Sequence, residues 1–366
     1  MLLAARCTLA LNLTVAERAA QALSLNTPGG MAMAVGYVAA AAVGGLAFIT
    51  LLALVLIYAE RKIAAHFQCR LGPMRVGWHG TLQSLADAIK LLFKEDVIPA
   101  KGDRLLHGLA PCISVMAMML TLAFIPFSAN IQVLDLNVGV LFVAAVSSIG
   151  VLGVLLAGWA SHNKWSLIGS MRAGAQIISY ELSATLALLV VVLFSGTMSL
   201  RGIVLAQAEG WWIFKGHVPA IAAFAVFMIA SVAELNRTPF DLAEGESELG
   251  AGFHTEYSGL RFSMFFLAEF INMFLVSAIM ATLFLGGWMP LYISGLDGFN
   301  QVMALLPGGM WFALKTGGIV FFIMWLRWTF PRMRVDQMMK LEWKFLMPVS
   351  FANLLLAAVV VALCRG

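Results

Sequence analysis

Eight apolar runs dominate this chain, near residues 33–58, 105–127, 138–160, 173–195, 217–235, 262–287, 309–330 and 345–364. Each is close to or above the roughly 20 helical residues that cross a bilayer core. The runs are continuous rather than alternating, which points to helices and not to barrel strands. With 61% hydrophobic and only 11% charged residues in 366, the chain has more apolar surface than one soluble core can bury. The expected fold class is therefore all-α, a polytopic membrane bundle of about eight transmembrane helices. Residues 31–366 read as a single membrane domain, preceded by an extension of unassigned role at 1–30. The opening MLLAARCTLALNL is too short an apolar run, with too poor a cleavage site, to read as a signal segment.

Loop charge sets the expected orientation. Arg61, Lys62, Arg70, Arg75, Lys90, Lys94, Lys101 and Arg104 follow the first run, and most other basic residues outside the spans follow runs three, five and seven. The positive-inside rule then puts those loops in the cytoplasm or its equivalent and both termini on the opposite, periplasmic face.

Several chemistries find no support in the residues. Cys7, Cys69, Cys112 and Cys364 are scattered, with no pairing suited to an iron–sulfur cluster or zinc. The histidines lie in loops or at span edges, and no phosphate-binding glycine motif is present. No metal site is expected, and any redox chemistry would depend on cofactors held elsewhere.

Charges inside the spans are the strongest functional signal. Glu181, Glu234, Glu269, Lys315 and Arg327 lie in spans four to seven. Each would cost about 2.5–3.5 kcal/mol at a bilayer centre, so each needs a partner, a hydrated cavity or a proton. An ion or proton pathway is the leading reading. The plainer alternative is a set of static ion pairs between helices, with Glu269 and Lys315 as one possible pair.

Two loops add to this. In the first, Leu82, Leu85, Ala86, Ile89, Leu92 and Phe93 recur at helical spacing and make one apolar face, as in a helix lying along the membrane surface. The mixed charges before it could bind anionic lipid, dock a soluble partner or line an entrance for an amphipathic ligand. The second, AELNRTPFDLAEGESELGAGFHTEYSGLR, gathers Glu234, Asp241, Glu244, Glu246, Glu248 and Glu256. Its interleaved Phe240, Leu242, Leu249, Phe253 and Tyr257 suit a loop packed against something rather than a solvated acidic tail.

The stretches AERKIAAHFQCRLGPMRVG, LADAIKLLFKEDVIP, LAGWASHNKWSLIGSMRAGAQIISYE, AELNRTPFDLAEGESELGAGFHTEYSG, FLAEF and WFALKTGGIVFFIMWLRWTFPRMRVDQ resemble, in order, the membrane H-subunit family of proton-pumping NADH–quinone oxidoreductase, respiratory complex I. The resemblance covers residues 59 to about 350, with departures at Met74, Ser84 and Gly250. It implies a component at the elbow between the peripheral and membrane arms, part of a multi-subunit enzyme with no redox cofactor of its own. Quinone would be the substrate, while NADH, flavin and iron–sulfur clusters would belong to partner subunits. By resemblance, Glu60, Arg61, Arg70, Asp87, Lys90, Arg237 and Arg327 are quinone-chamber residues. Glu181, Glu234 and Glu269, with Asp241, Glu244, Glu246 and Glu248 on the loop, are the proton path. A bacterial cytoplasmic membrane is expected, with the mitochondrial inner membrane as the alternative.

Rival readings are a related component of a membrane-bound hydrogenase, a stand-alone cation or proton carrier, and a structural anchor. The carrier explains the buried acids but not the large basic first loop, and the chain has no obvious internal repeat.

Overall fold

The computed structural model describes residues 14–24, 28–243, 245, 248, 250–292 and 297–365. In chain order the helices are α1 (Val15–Ser24), α2 (Pro28–Phe67), α3 (Gln83–Phe93), α4 (Arg104–Phe124), α5 (Gly139–Ala160), α6 (Lys164–Ser195), α7 (Leu200–Leu205), α8 (Trp212–Lys215), α9 (His217–Glu234), α10 (Gly259–Phe284), α11 (Asp297–Ala304), α12 (Gly308–Thr329), α13 (Val335–Leu341) and α14 (Met347–Arg365). A π-helical turn, Glu342–Leu346, joins α13 to α14. Eight of the helical segments are long and apolar enough to cross a membrane, and no strand occurs among the described residues. The expected all-α membrane bundle is the observed fold.

The helices overrun the apolar runs where charged ends can stay helical. Helix α2 has 40 residues, roughly 60 Å at 1.5 Å per residue. It therefore carries Glu60, Arg61 and Lys62 beyond the apolar run while keeping them helical. Helix α6 begins at Lys164, well before the apolar run at 173, because the Asn163 side chain accepts from Trp165 N at 3.0 Å and caps the first turn. Asp103 caps α4 in the same way, accepting from Leu105 N and Leu106 N. The last crossing segment runs back to Val335 through the π turn, and so takes Glu342 into the bundle.

Burial separates centre from rim. In the most apolar window of α10, 67% of residues are buried, against 17% for α2 and for the last span. Ile271, Met273, Leu275, Met280 and Leu283 of α10 are all fully enclosed, so this helix is packed on most sides and forms the axis of the core. The faces left open on α2 and α14 are available to lipid or to neighbouring subunits.

The remaining segments hold the spans in place. Helix α3 is the surface helix expected in the first loop; Leu85, Ile89, Leu92 and Phe93 on its apolar stripe are exposed. In α1, Ala19 and Ala22 pack with Ala34 of α2, and Ala16 N donates to Val133 O at 3.1 Å.

Candidate functional site

Three of the carboxylates singled out in the spans converge on one internal cavity. Glu181 from α6, Glu234 from the end of α9 and Glu269 from α10 line a space of about 390 Å³, together with Arg327 of α12. Most of its wall is apolar, from residues such as Val143, Leu188, Phe265 and Ile279, with polar groups from Ser147, Thr185, Asn236 and Asn272. A volume of that size with several polar partners can hold water, which lets carboxylates in a membrane interior exchange protons.

Each acid has a different surrounding. Ser148 of α5 donates to Glu181. Glu234 feels the charges of Glu181 and Glu342, and among the described residues no side chain donates to it. Glu269 accepts from Arg237 Nε at 2.9 Å.

Arg237 ties the cavity to the far end of α2. Its Nη1 donates to Glu60 at 3.0 Å, and Arg327 donates to the other Glu60 oxygen. The four side chains carry two positive and two negative charges in all, so the cluster is internally balanced. The Arg237 side chain is only 1% exposed and its guanidinium lies over the Phe270 ring at 4.7 Å. Burial disfavours its charge, but the carboxylates of Glu269 and Glu60 outweigh that and raise its pKa above the ordinary arginine value.

The other residues expected around a quinone chamber lie apart from this cluster. Arg61 pairs with Asp87 of α3 on a half-exposed face, and Gln83 Nε2 supports Asp87 at 3.1 Å. Arg70 is exposed, with Nε donating to Gln68 at 2.7 Å, and Lys90 is exposed on α3. Thus Glu60, Arg237 and Arg327 are brought together, while Arg61, Asp87, Arg70 and Lys90 lie apart from them on exposed or part-exposed surface.

The acidic loop is packed. Phe240, Leu242, Phe253 and Tyr257 are buried, while Leu249 lies outside the described residues. Gln176 of α6 donates to Ala233 O and Phe240 O, both at 2.7 Å, and Ser166 donates to Phe253 O at 2.9 Å. Gly252 has φ 61°, and a Cβ on Gly169 would lie only 3.0 Å from its Cα, so two glycines let the loop backbone lie directly on α6. Arg172 pairs with Glu248 at 2.7 Å, and Arg332 Nε donates to Asp241 O at 2.8 Å. The hydrogen bond from Arg172, and then the charge of Arg332, hold the Glu248 carboxyl below the usual range. Glu244 and Glu246 lie outside the described residues. His254 faces the cavity from this loop, and burial pushes its imidazole down to about 4.

One pairing considered from the sequence is not formed. Lys315 does not reach Glu269: its Nζ donates to the carbonyls of Leu285, Gly287 and Met289, just past the end of α10, and sits 4.3 Å from the Trp211 ring centre. Free carbonyls at a helix C-terminus, at the negative end of its dipole, satisfy a buried ammonium without a carboxylate.

Sequence reasoning also missed Glu342. It is 1% exposed and accepts from Ser183 of α6. Its flanking Lys340 and Lys344 make the stretch look like a loop, and the apolar run begins only after it. Helical spacing from Met338 and Leu346, both buried, was the available signal.

A polytopic helical membrane protein with an acid-lined cavity and a four-charge cluster built around the buried Arg237–Glu60 pair is the class that these features define. A family model described as NADH dehydrogenase matches residues 40–358. The H subunit of the NADH-quinone oxidoreductase of Bacteroides thetaiotaomicron is 56% identical over 317 residues, covering 87% of this chain and 88% of the relative. That of Brevibacillus brevis is 48% identical over 327 residues, covering 88% and 94%, and the NADH-quinone oxidoreductase subunit 8 of Rhodothermus marinus is 48% identical over 327, covering 86% and 94%. The chain belongs to the H-subunit family of NADH–quinone oxidoreductase, respiratory complex I. It is thus a membrane-embedded part of a multi-subunit enzyme.

Proposed function

We propose that this chain forms much of the chamber through which quinone reaches a partner subunit's terminal iron–sulfur cluster, and that its buried carboxylates couple quinone reduction to proton translocation. The observation that carries the reading is the convergence of Glu181, Glu234 and Glu269, from three spans, on one cavity. Reduction of a quinone to a quinol consumes protons as well as electrons, so it changes the proton demand beside the chamber. Closely spaced carboxyls in a low dielectric titrate as a group, and a charge change at one redistributes protons among the others.

The route in this reading starts at the rim. Arg61, Arg70, Asp87 and Lys90 flank the quinone entrance, and Glu60, Arg237 and Arg327 form its inner wall. Arg237 bonds to both Glu60 and Glu269, so a charge arriving near Glu60 is felt at the cavity acid through one guanidinium. Asp241, Glu244, Glu246 and Glu248 on the packed loop supply the proton reservoir on the chamber side. NADH, flavin and the iron–sulfur clusters belong to partner subunits, which complete the chamber around this chain. The bacterial relatives support a bacterial cytoplasmic membrane, and the basic residues of the odd-numbered loops support periplasmic termini.

The test uses the assembled complex in sealed vesicles. Glu234→Gln removes the proton-carrying group while keeping its shape, and is expected to impair the pH gradient formed during NADH oxidation. Native pumping and native activity in that variant would refute the role.

A further inference from the structure

The last span contains a carboxylate that the route above does not use. Glu342 opens the π-helical turn Glu342–Leu346, where the wider backbone spacing interrupts an otherwise regular helix. Such turns inside helices occur frequently at functional sites. The side chain points into the bundle and is 1% exposed. Ser183 donates to Oε1, while Oε2 is buried without a hydrogen-bond partner among the described residues. The titratable groups that feel its charge are Tyr180 on α6 and Glu234 on α9. The Tyr180 hydroxyl is already used, donating to Met338 O at 3.0 Å. Among the described residues no Lys, Arg or His is ion-paired with Glu342.

A carboxyl in a membrane interior must be satisfied by a cation, by water or by a proton. Among the described residues Glu342 has no cation, and one of its oxygens has no protein donor, so water or a proton must satisfy it, and either allows the carboxyl to exchange a proton. A purely structural role would be served at least as well by an apolar residue of similar volume. Instead an acid stands where its charge is felt by Glu234, the cavity acid to which no described side chain donates.

We propose that Glu342 is a proton-storing carboxyl of the coupling path, exchanging its proton with Glu234. This rests on the carboxylate-path reading given above. In the step, the O–H bond of the Glu342 carboxyl breaks and an O–H bond forms on the Glu234 carboxylate. The negative charge moves from Glu234 to Glu342, and no electron is transferred. The Ser183 hydroxyl continues to donate to Oε1 and so favours the ionised form of Glu342 once the proton has left.

The experiment compares Glu342→Gln, Glu342→Asp and Glu234→Gln in the intact complex in sealed vesicles, reading protons translocated per NADH oxidised. Glu342→Gln is expected to lower that ratio, with partial recovery in Glu342→Asp. A native ratio in Glu342→Gln alongside a lowered one in Glu234→Gln overturns the Glu342 proposal alone. Native ratios in both overturn the path reading as well. Should Glu342→Gln fail to assemble, infrared difference spectra of the working complex decide the matter. Ser183→Ala must then shift a carboxyl C=O band that changes on turnover, and spectra identical to native overturn the proposal.

Discussion

Arg237 donates to Glu60 at 3.0 Å across 177 residues of sequence, joining the loop after α9 to the far end of α2. Both side chains are nearly inaccessible, so neither charge can fall back on water. Removing one partner of a buried pair costs about 3–5 kcal/mol, because the other charge is left uncompensated. Arg237→Met should therefore sharply reduce the amount of assembled complex, measured by native electrophoresis of membranes. Normal assembly would show that the cluster is more hydrated than its burial indicates.

Lys315 and Glu269 should behave independently. Lys315 is held by backbone carbonyls and by Trp211, whereas Glu269 is held by Arg237. In a double-mutant cycle on thermal stability of the complex, Lys315→Met and Glu269→Gln should add to within about 0.5 kcal/mol. A larger coupling energy would restore the ion pair between them.

Arg332 should matter more to the acidic loop than Glu248 does. The Glu248 carboxylate is half-exposed, and its pairs are worth about 1 kcal/mol at most. Arg332 in addition holds the backbone at Asp241. Hydrogen exchange over residues 241–251 is expected to accelerate clearly in Arg332→Ala and only slightly in Glu248→Gln. Equal effects would count against the backbone clamp.

His254 should be silent near neutrality. Its imidazole titrates at about 4 in the fold against an ordinary 6.5, so between those values the folded state binds fewer protons than the unfolded one. Its contribution is intact above the unfolded value, and stability falls as pH drops through that window. His254→Phe should leave the pH profile of NADH–quinone activity unaltered across the neutral range. A displaced profile there would mean that the imidazole carries a proton at working pH.

The spans and the three cavity acids were legible because charge is scarce in this chain and an acid within an apolar run stands out. Their partners were not. Glu60 sits beside Arg61 and Lys62 and reads as rim, yet α2 stays helical and turns it inward to Arg237 and Arg327. Lys315 is satisfied by carbonyls, which every residue carries and no sequence pattern marks. Glu342 was hidden by the lysines on either side of it, while the acid itself faces Ser183. Packing of the acidic loop could be anticipated from its interleaved aromatics; its clamp by Arg172 and Arg332 depends on contacts distant in sequence.

The central claim is that the cavity acids carry the coupling. The most direct measurement is the number of protons translocated per NADH oxidised by the intact complex bearing Glu181→Gln. The Ser148 hydroxyl can still hydrogen-bond the amide in that variant, so the fold is kept while the titratable group is lost. The account predicts a lower ratio than native at comparable assembly. An unchanged ratio would contradict it.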